Sequence, residues 1–110
     1  MAMVVDIKRY EIYLVKLNPT VGSEIQKIRP CIIISPNEMN ILKTVIVAPM
    51  TSKGFDFIFR PKLTFKQKDG LILLDQIRTV DKTRLVKKLG DVDKRTSINI
   101  SKILVQMFEL

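Results

Sequence analysis

The chain has 110 residues, of which 46 % are apolar, and it contains only 4 glycines and 5 prolines, so its composition excludes a disordered polymer. Nineteen Lys and Arg against eleven Asp and Glu give a formal net charge of +8 at pH 7, which favours a polyanionic partner such as nucleic acid. The chain has no histidine, and this excludes Ser-His-Asp and Cys-His nucleophile arrangements and most zinc sites.

Six short apolar or alternating segments predict β-strands, because each is bounded by turn-forming residues and most are too short for a helix. They span residues 11–17, 31–35, 44–50, 63–65, 71–79 and 85–89. The β-branched runs at residues 32–34 and 45–47 favour central strands that are buried on both faces. Together the segments predict a small, strongly bent sheet or barrel.

Pro, Gly, Asn and Ser mark breaks between these strands at residues 18–23, 35–37 and 51–54, and Lys-Asp-Gly marks another at residues 68–70. Pro30 is expected to open the second strand, where a residue without an N–H is tolerated.

Cys31 lies inside an apolar run, so we expect a buried structural thiol and a reducing compartment. The start of the chain does not resemble a signal peptide and no apolar run approaches membrane-spanning length, so we expect a cytoplasmic protein without membrane contact.

The tail over residues 94–110 predicts one amphipathic helix. Its apolar residues recur at three- and four-residue steps, at Ile100, Ile103, Leu104 and Met107. Asp93 is a suitable N-cap for this helix. No repeat or linker interrupts the sequence, so we expect a single domain over residues 1–110, mainly β with a C-terminal α-helix packed on the sheet.

The inventory of side chains narrows the chemistry. There is no glycine-rich phosphate loop, and the spacing of the aspartates matches no metal-binding loop, so we expect neither a metal nor a cofactor. RNA cleavage suits the groups that remain, because the 2′-hydroxyl of RNA can itself attack the adjacent phosphorus. That reaction needs only in-line positioning, a proton acceptor and charge stabilisation.

Five segments, in this order and spacing, resemble MazF/PemK-type toxins over most of the chain from Arg9 to Leu89. Each segment alone is weak, but the set is specific. The segments are residues 11–15 (EIYLV), 18–24 (NPTVGSE), 29–36 (RPCIIISP), 45–52 (VIVAPMTS) and 70–81 (GLILLDQIRTVD).

The resemblance implies an SH3-like barrel of the CcdB/PemK type that forms a homodimer. It also implies the toxin of a type II toxin-antitoxin system, a metal-independent and sequence-specific endoribonuclease acting on single-stranded RNA such as mRNA. Attack by the 2′-hydroxyl would leave a 2′,3′-cyclic phosphate and a 5′-hydroxyl. The implied protein partner is an acidic, MazE-like antitoxin, consistent with the basic charge of the chain.

Site residues carry over from the family position by position. The resemblance implies that Arg29 stabilises the transition state at the scissile phosphate, where its planar fork can contact two oxygens. Thr51 is implied to contact the same phosphate through its hydroxyl. Glu24 and Asp75 are alternatives for the general base. Polar and basic side chains near these positions are expected to contact RNA: Ser23, Ser52, Lys53, Gln76 and Arg78. The other basic residues are expected to be mostly solubilising.

Three positions depart from the family pattern. Leu73 stands where some PemK-type members carry the arginine of a catalytic Arg-x-Asp pair. This departure argues against such a two-residue mechanism at Asp75 and leaves Arg29 as the main catalytic residue. Ser23 replaces a histidine that some members carry. Tyr10 replaces a usual glycine, so it is expected either to change the turn into the first strand, to offer an aromatic surface to a base, or simply to pack.

Two other functions stay open. A gyrase poison resembling CcdB would share the barrel and act through the end of its C-terminal helix, but this tail lacks the Trp-Gly-Ile ending associated with that activity. A catalytically inactive nucleic-acid-binding barrel is the other alternative. The presence of Glu24, Arg29 and Thr51 argues against it.

Overall fold

The structure is a computed structural model that describes residues 6–110. Within these residues, seven strands precede one α-helix, and three short 3-10 helices lie between strands at Asn37–Ile41, Leu74–Gln76 and Lys82–Arg84. The main elements are β1 (Glu11–Lys16), β2 (Ile28–Ile33), β3 (Thr44–Thr51), β4 (Lys62–Phe65), β5 (Lys68–Ile72), β6 (Arg78–Asp81), β7 (Leu85–Asp91) and α1 (Lys94–Phe108).

The strands form one antiparallel sheet in the order β4-β5-β3-β2-β1-β7, with β6 also paired to β3. Strand β3 therefore has three partners. Strand β2 pairs along one edge, while the other edge pairs first with β6 and then, from Met50 onward, with β5. Because β5 and β6 occupy the same edge in succession, the sheet must bend along β3, as the sequence predicted.

The two ends of the curled sheet approach each other. A Cβ atom built on Gly90 of β7 would lie 2.9 Å from the ring of Phe65 at the end of β4. These strands are the first and last in the sheet order, so the contact almost closes the sheet into a barrel. A side chain at position 90 would have to displace the Phe65 ring. The predicted fold class, mainly β with a C-terminal helix, is confirmed.

Apolar clusters lie on both faces of the sheet, as predicted for central strands. Ile32 belongs to the cluster under the helix and Ile33 to the cluster on the other face, and both are completely buried. Cys31 is also buried within the second cluster, and this burial raises the pKa of its thiol to about 12. The thiol therefore stays protonated and unreactive, in agreement with a structural role.

The predicted single strand over residues 71–79 is wrong. Strand β5 ends at Ile72, a 3-10 helix covers Leu74–Gln76, and β6 begins at Arg78. The break has a physical cause, because the chain must leave one half of β3 and return to pair with the other half. The N–H of Leu73 donates to the carbonyl of Pro49 at 2.8 Å where this change occurs.

The predicted break at residues 68–70 is also wrong, since all three residues lie in β5. The hairpin turns instead at Lys66 and Gln67, whose φ angles of 51° and 65° match a two-residue turn that twists with its strands. Gly70 is needed for a different reason. A Cβ there would lie 3.0 Å from the carbonyl oxygen of Thr51, so only glycine allows β5 to approach the end of β3.

Strand β2 begins at Ile28, two residues earlier than Pro30, which the sequence placed at the strand start. Pro30 pairs with Leu14 on β1, whereas the ladder to β3 begins only at Cys31. The proline therefore lies at the open end of the β2–β3 ladder. A missing N–H is tolerated there.

Helix α1 begins after Asp93, whose side chain accepts a hydrogen bond from the N–H of Thr96 at 3.1 Å, so the predicted N-cap is confirmed. Ile100 and Ile103 are buried against the sheet, as the apolar stripe predicted.

Tyr10 packs against the same cluster and its hydroxyl forms a hydrogen bond with that of Ser101, so the tyrosine is packed despite a φ of 70°. Across residues 6–110, no helix has the length and apolar character needed to cross a membrane.

Two isoleucines of α1 provide a matched test of this packing. Ile100 is completely buried and Ile98 is 48 % exposed. We expect Ile100→Ala to lower the free energy of unfolding by about 2–5 kcal/mol, because it removes buried methyl groups and leaves a cavity. Ile98→Ala should change it by less than about 0.5 kcal/mol. Urea denaturation measures both; equal losses would contradict the described helix orientation.

Candidate active site

Arg29 and Thr51 lie opposite each other where β2 and β3 separate. The last registered pair there is Cys31 with Pro49. Arg29 lies two residues before Cys31 and Thr51 two residues after Pro49, so the antiparallel register sets them across from one another on the same face. Both residues are half-buried.

A depression of about 350 Å³ opens between these two residues. Phe65 and Leu89 provide apolar walls, while Lys66 and Lys68 add positive charge at the β4–β5 hairpin. The remaining lining residues include Arg29, Thr51, Ser52, Asp69 and Gly70. The structure thus brings together three of the residues that the sequence assigned to the site: Arg29 of β2, Thr51 at the end of β3 and Ser52 in the loop that follows.

The guanidinium of Arg29 has capacity for an anion. Its Nε donates to the carbonyl of Gln26 at 3.3 Å. None of the ion pairs found among residues 6–110 involves Arg29. The bond to Gln26 orients the planar group while its terminal nitrogens can still contact two oxygens of one phosphate.

Thr51 supplies a hydroxyl beside this guanidinium. Its Oγ accepts a hydrogen bond from the N–H of Lys53 at 3.2 Å, which is the turn chemistry expected of such a loop. Since the oxygen acts as acceptor in that bond, its own O–H remains able to donate to a ligand. Ser52 and Lys53 follow on the exposed loop.

The acidic candidates lie in a second, smaller depression of about 220 Å³. Glu24, Asp75, Gln76 and Arg78 all line it. Glu24 is exposed, and one of its carboxylate oxygens accepts a hydrogen bond from the N–H of Val21 at 2.6 Å. Ser23, the neighbour of Glu24, is exposed on the same loop between β1 and β2. The structure therefore divides the predicted site residues between two depressions.

Asp75 is held by an arginine that the sequence did not single out. Arg60 Nε and Nη2 donate to the two carboxylate oxygens of Asp75 at 2.9 and 2.8 Å. This pairing holds the pKa of Asp75 below its usual range. The family's Arg-x-Asp position is occupied by Leu73, which is buried. A guanidinium nevertheless reaches Asp75 from 15 residues away, and no periodic signal in the sequence indicates such a contact.

Gln76 and Arg78 also form hydrogen bonds to the backbone of the β1–β2 loop. Gln76 Oε1 accepts a hydrogen bond from the N–H of Ile25 at 2.8 Å, and Arg78 Nη1 donates to the carbonyl of Leu17 at 3.0 Å. Leu17 and Ile25 lie at the two ends of the β1–β2 loop. The segment after β5 thus fixes that loop through Gln76 and Arg78, and it fixes the β3–β4 loop through Asp75.

Fold and site together define a small curled-sheet protein with an arginine and a threonine beyond the end of a strand pair. The model of the PemK-like, MazF-like toxins of type II toxin-antitoxin systems matches residues 8–108. The chain belongs to this family. The resemblance seen in its sequence is confirmed, and with it the enzyme class, endoribonuclease.

Relatives support the assignment in sequence and in structure. The endoribonuclease MazF of Staphylococcus epidermidis is 38 % identical over 105 residues, which cover 89 % of this chain and 88 % of that protein. MazF of Deinococcus radiodurans superposes with a TM-score of 0.83 at 20 % identity, covering 94 % and 97 % of the two chains. A mycobacterial endoribonuclease in complex with its cognate antitoxin gives a TM-score of 0.79 at 22 % identity, covering 94 % and 96 %.

The Arg60–Asp75 pair makes a pH-dependent contribution to stability. Because the folded-state pKa of Asp75 lies below 3.8, its value without the pair, the stabilisation is complete above that pH and disappears as the pH falls through the folded-state value. We expect Asp75→Asn to cost about 0.5–1 kcal/mol at pH 7, allowing for solvent screening, and less than this at about pH 2.

Urea denaturation at both pH values tests this expectation. Asp56→Asn is the matched control, because Asp56 forms an exposed pair with Lys62 at 3.6 Å and should show little difference at either pH. A loss for Asp75→Asn that is the same at pH 7 and pH 2 would contradict the ionic contribution.

Proposed function

We propose that this toxin cleaves single-stranded RNA at specific sequences, without a metal ion, by attack of the 2′-hydroxyl on the adjacent phosphorus. The products are a 2′,3′-cyclic phosphate and a 5′-hydroxyl. The observation that carries this proposal is that Arg29 and Thr51, beyond the end of the β2–β3 ladder, line one depression together with Lys66 and Lys68. This arrangement suits a reaction that requires positioning and charge stabilisation rather than a protein nucleophile.

In this mechanism Arg29 binds two nonbridging oxygens of the scissile phosphate through its planar fork. The added charge of the transition state then develops on oxygens that already face a cation. Thr51 donates its hydroxyl to the same phosphate. Together the two groups fix the phosphorus so that the 2′-oxygen attacks in line with the departing 5′-oxygen.

The proton of the 2′-hydroxyl needs an acceptor, and the two carboxylates differ in this respect. Both oxygens of Asp75 already accept hydrogen bonds from Arg60, and that pairing lowers the pKa of Asp75. Glu24 has one oxygen bonded to the N–H of Val21 and retains capacity at the other. We therefore propose a positioning role for Asp75 and Glu24 as the general base. In this role the exposed β1–β2 loop brings Glu24 from its own depression to the 2′-hydroxyl of the RNA bound at Arg29 and Thr51.

The proposal includes two protein partners. An acidic antitoxin, comparable to the cognate antitoxin bound by the mycobacterial relative, fits the net charge of +8. A second copy of the chain would cover apolar side chains such as Val105 and Phe108, which are 62 % and 71 % exposed near the end of α1. A cytoplasmic location, where mRNA is accessible, completes the proposal.

Loss of the arginine fork is the most direct test of the reaction. We expect Arg29→Ala to lower the rate of RNA cleavage on the order of 10²- to 10³-fold, since it removes charge stabilisation at the phosphate. The exposed helix residue Arg95 supplies a control, Arg95→Ala, with the same change in net charge and an unchanged rate. The assay uses a long single-stranded RNA in excess EDTA, with mapping of the 5′ ends.

Cuts with 5′-hydroxyl ends that persist in EDTA and disappear with Arg29→Ala are the expected outcome. If EDTA abolishes cleavage and a divalent ion restores it, the metal-independent mechanism is wrong. If the folded wild-type protein, free of antitoxin, leaves RNAs of varied sequence intact, the ribonuclease proposal fails.

Two substitutions at Thr51 distinguish the contribution of its hydroxyl from that of the shape of its side chain. Thr51→Val keeps the volume but removes the donor, so we expect a decrease of kcat on the order of 10- to 100-fold, the effect of losing one hydrogen bond to a charged group. Thr51→Ser keeps the hydroxyl and should retain most of the activity. Steady-state cleavage of a short fluorogenic RNA measures both; equal activity of the valine and serine variants would exclude a catalytic hydroxyl.

A further inference from the structure

The loop between β3 and β4 carries a row of phenylalanine rings that extends from the core into solvent. Phe59 packs against the apolar cluster under the helix, and its ring centroid lies 5.6 Å from that of Phe57 in an edge-on arrangement. Phe57 in turn lies 6.3 Å from Phe55. Phe55 is 67 % exposed and Phe57 is 44 % exposed. Such exposed aromatic surface is uncommon on a lone protein and indicates a ligand.

Arg60 anchors the outer end of this row. The centre of its guanidinium lies 5.2 Å from the ring centroid of Phe55, while its nitrogens form the two hydrogen bonds to Asp75. Gly54, just before Phe55, has a φ of 127°, a backbone conformation that residues with a side chain rarely adopt. The ring of Phe55 is therefore held from one side by a cation that is itself fixed by a carboxylate.

The aromatic row adjoins the candidate active site. Phe55 follows Thr51 by only four residues. Asp75 lines the depression that also contains Glu24, and Arg60, which pairs with Asp75, lies over the ring of Phe55. The ring of Phe55 is therefore linked to the depression that holds Glu24 through a single ion pair.

The chemistry of this surface fits an unpaired nucleobase. Sites for single-stranded nucleic acid combine cations that follow the backbone with aromatic rings on which bases stack. Here the guanidinium of Arg60 lies over Phe55, and Lys53 is exposed two residues before Phe55 in the same loop. An apolar peptide would gain nothing from these cations, whereas an RNA strand uses both features.

We propose that Phe55 and Phe57 form a stacking platform for one unpaired base of the RNA substrate, next to the cleaved bond, and that the Arg60–Asp75 pair positions this platform. The inference rests on the proposed ribonuclease function and adds a base-recognition site to it. Phe55 and Phe57 are binding residues, and Arg60 and Asp75 act through them as positioning residues.

The test measures binding of an RNA oligonucleotide that spans a mapped cleavage site and carries a 2′-deoxy nucleotide at the cut position, so that it binds without being cleaved. We expect Phe55→Ala and Phe57→Ala each to weaken binding by about 5- to 100-fold, the range for loss of one base stack. Ile58→Ala is the matched control, because Ile58 is 65 % exposed in the same loop but has no ring to stack. It should change Kd by less than about twofold.

Abasic nucleotides, placed one at a time along the same oligonucleotide, identify the base. In the wild-type protein, one abasic position should weaken binding by about the same factor as Phe55→Ala. In the Phe55→Ala protein, that abasic position should have no further effect, since the stack is already lost. Phe55→Trp should restore the sensitivity to that position.

Several results would overturn the inference while leaving RNA cleavage intact. One is that Phe55→Ala and Phe57→Ala bind RNA as well as Ile58→Ala does. Another is that every abasic position weakens binding by the same factor in the Phe55→Ala protein as in the wild-type protein, which would mean that Phe55 stacks on none of these bases. A third is that the alanine variants lose only dimerisation or antitoxin binding. Absence of any RNA binding or cleavage by the wild-type protein would instead defeat the proposed function itself. Circular dichroism on each variant verifies the fold.

The positioning role of Asp75 has its own signature. Asp75→Asn should raise KM and reduce the sensitivity to the abasic position, as Phe55→Ala does, while the pH dependence of kcat keeps its acidic limb. A general base would behave differently, since its loss lowers kcat and removes that limb. Loss of the limb in Asp75→Asn, with unchanged sensitivity to the abasic position, would contradict the positioning role.

Discussion

Strand β3 shares its hydrogen bonds among three neighbours, and the rest of the structure depends on this sharing. One edge pairs with β2, while β6 and β5 divide the other edge between them. Two strands can occupy one edge in succession only if the sheet bends at the junction. The bend curls the sheet until Gly90 meets Phe65 and also ends the β2–β3 ladder before Arg29 and Thr51.

The candidate site is a consequence of that open ladder end. Each backbone is still paired on its outer side, Arg29 with Val15 and Thr51 with Leu71. The two side chains therefore face each other from rigid strands across a gap with no strand pairing. A phosphate-binding group gains from this arrangement, because its donors are preorganised before the ligand arrives.

The 3-10 segment after β5 connects the flanking loops to this rigid frame. Asp75 holds the β3–β4 loop through Arg60, and Gln76 holds the β1–β2 loop through the N–H of Ile25. Both loops are otherwise short of regular hydrogen bonding. The family's Arg-x-Asp arrangement is absent from this chain, but the carboxylate retains an arginine partner that comes from the loop it positions.

Much of this protein follows from its sequence alone. The β-branched run at residues 32–34 is buried on both faces, and that at residues 45–47 is buried except for the half-buried Ile46. The stripe on α1 packs as its spacing predicts, and Asp93 caps the helix. These features depend on local periodicity and capping, which neighbouring residues decide. Arg29 and Thr51 were singled out through the resemblance to the toxin family and not through periodicity, and their roles stay predictions.

Tertiary structure alone decided the rest. The chain breaks at Leu73 because β5 and β6 pair with different parts of the same edge of β3. Gly70 is suited to its place in β5 because the carbonyl oxygen of Thr51 lies close to it. The pairing of Arg60 with Asp75 joins residues 15 positions apart, and the row of rings beside it depends on the path of a loop. Side chains that meet through folding leave no periodic trace in the sequence, so only the folded chain reveals them.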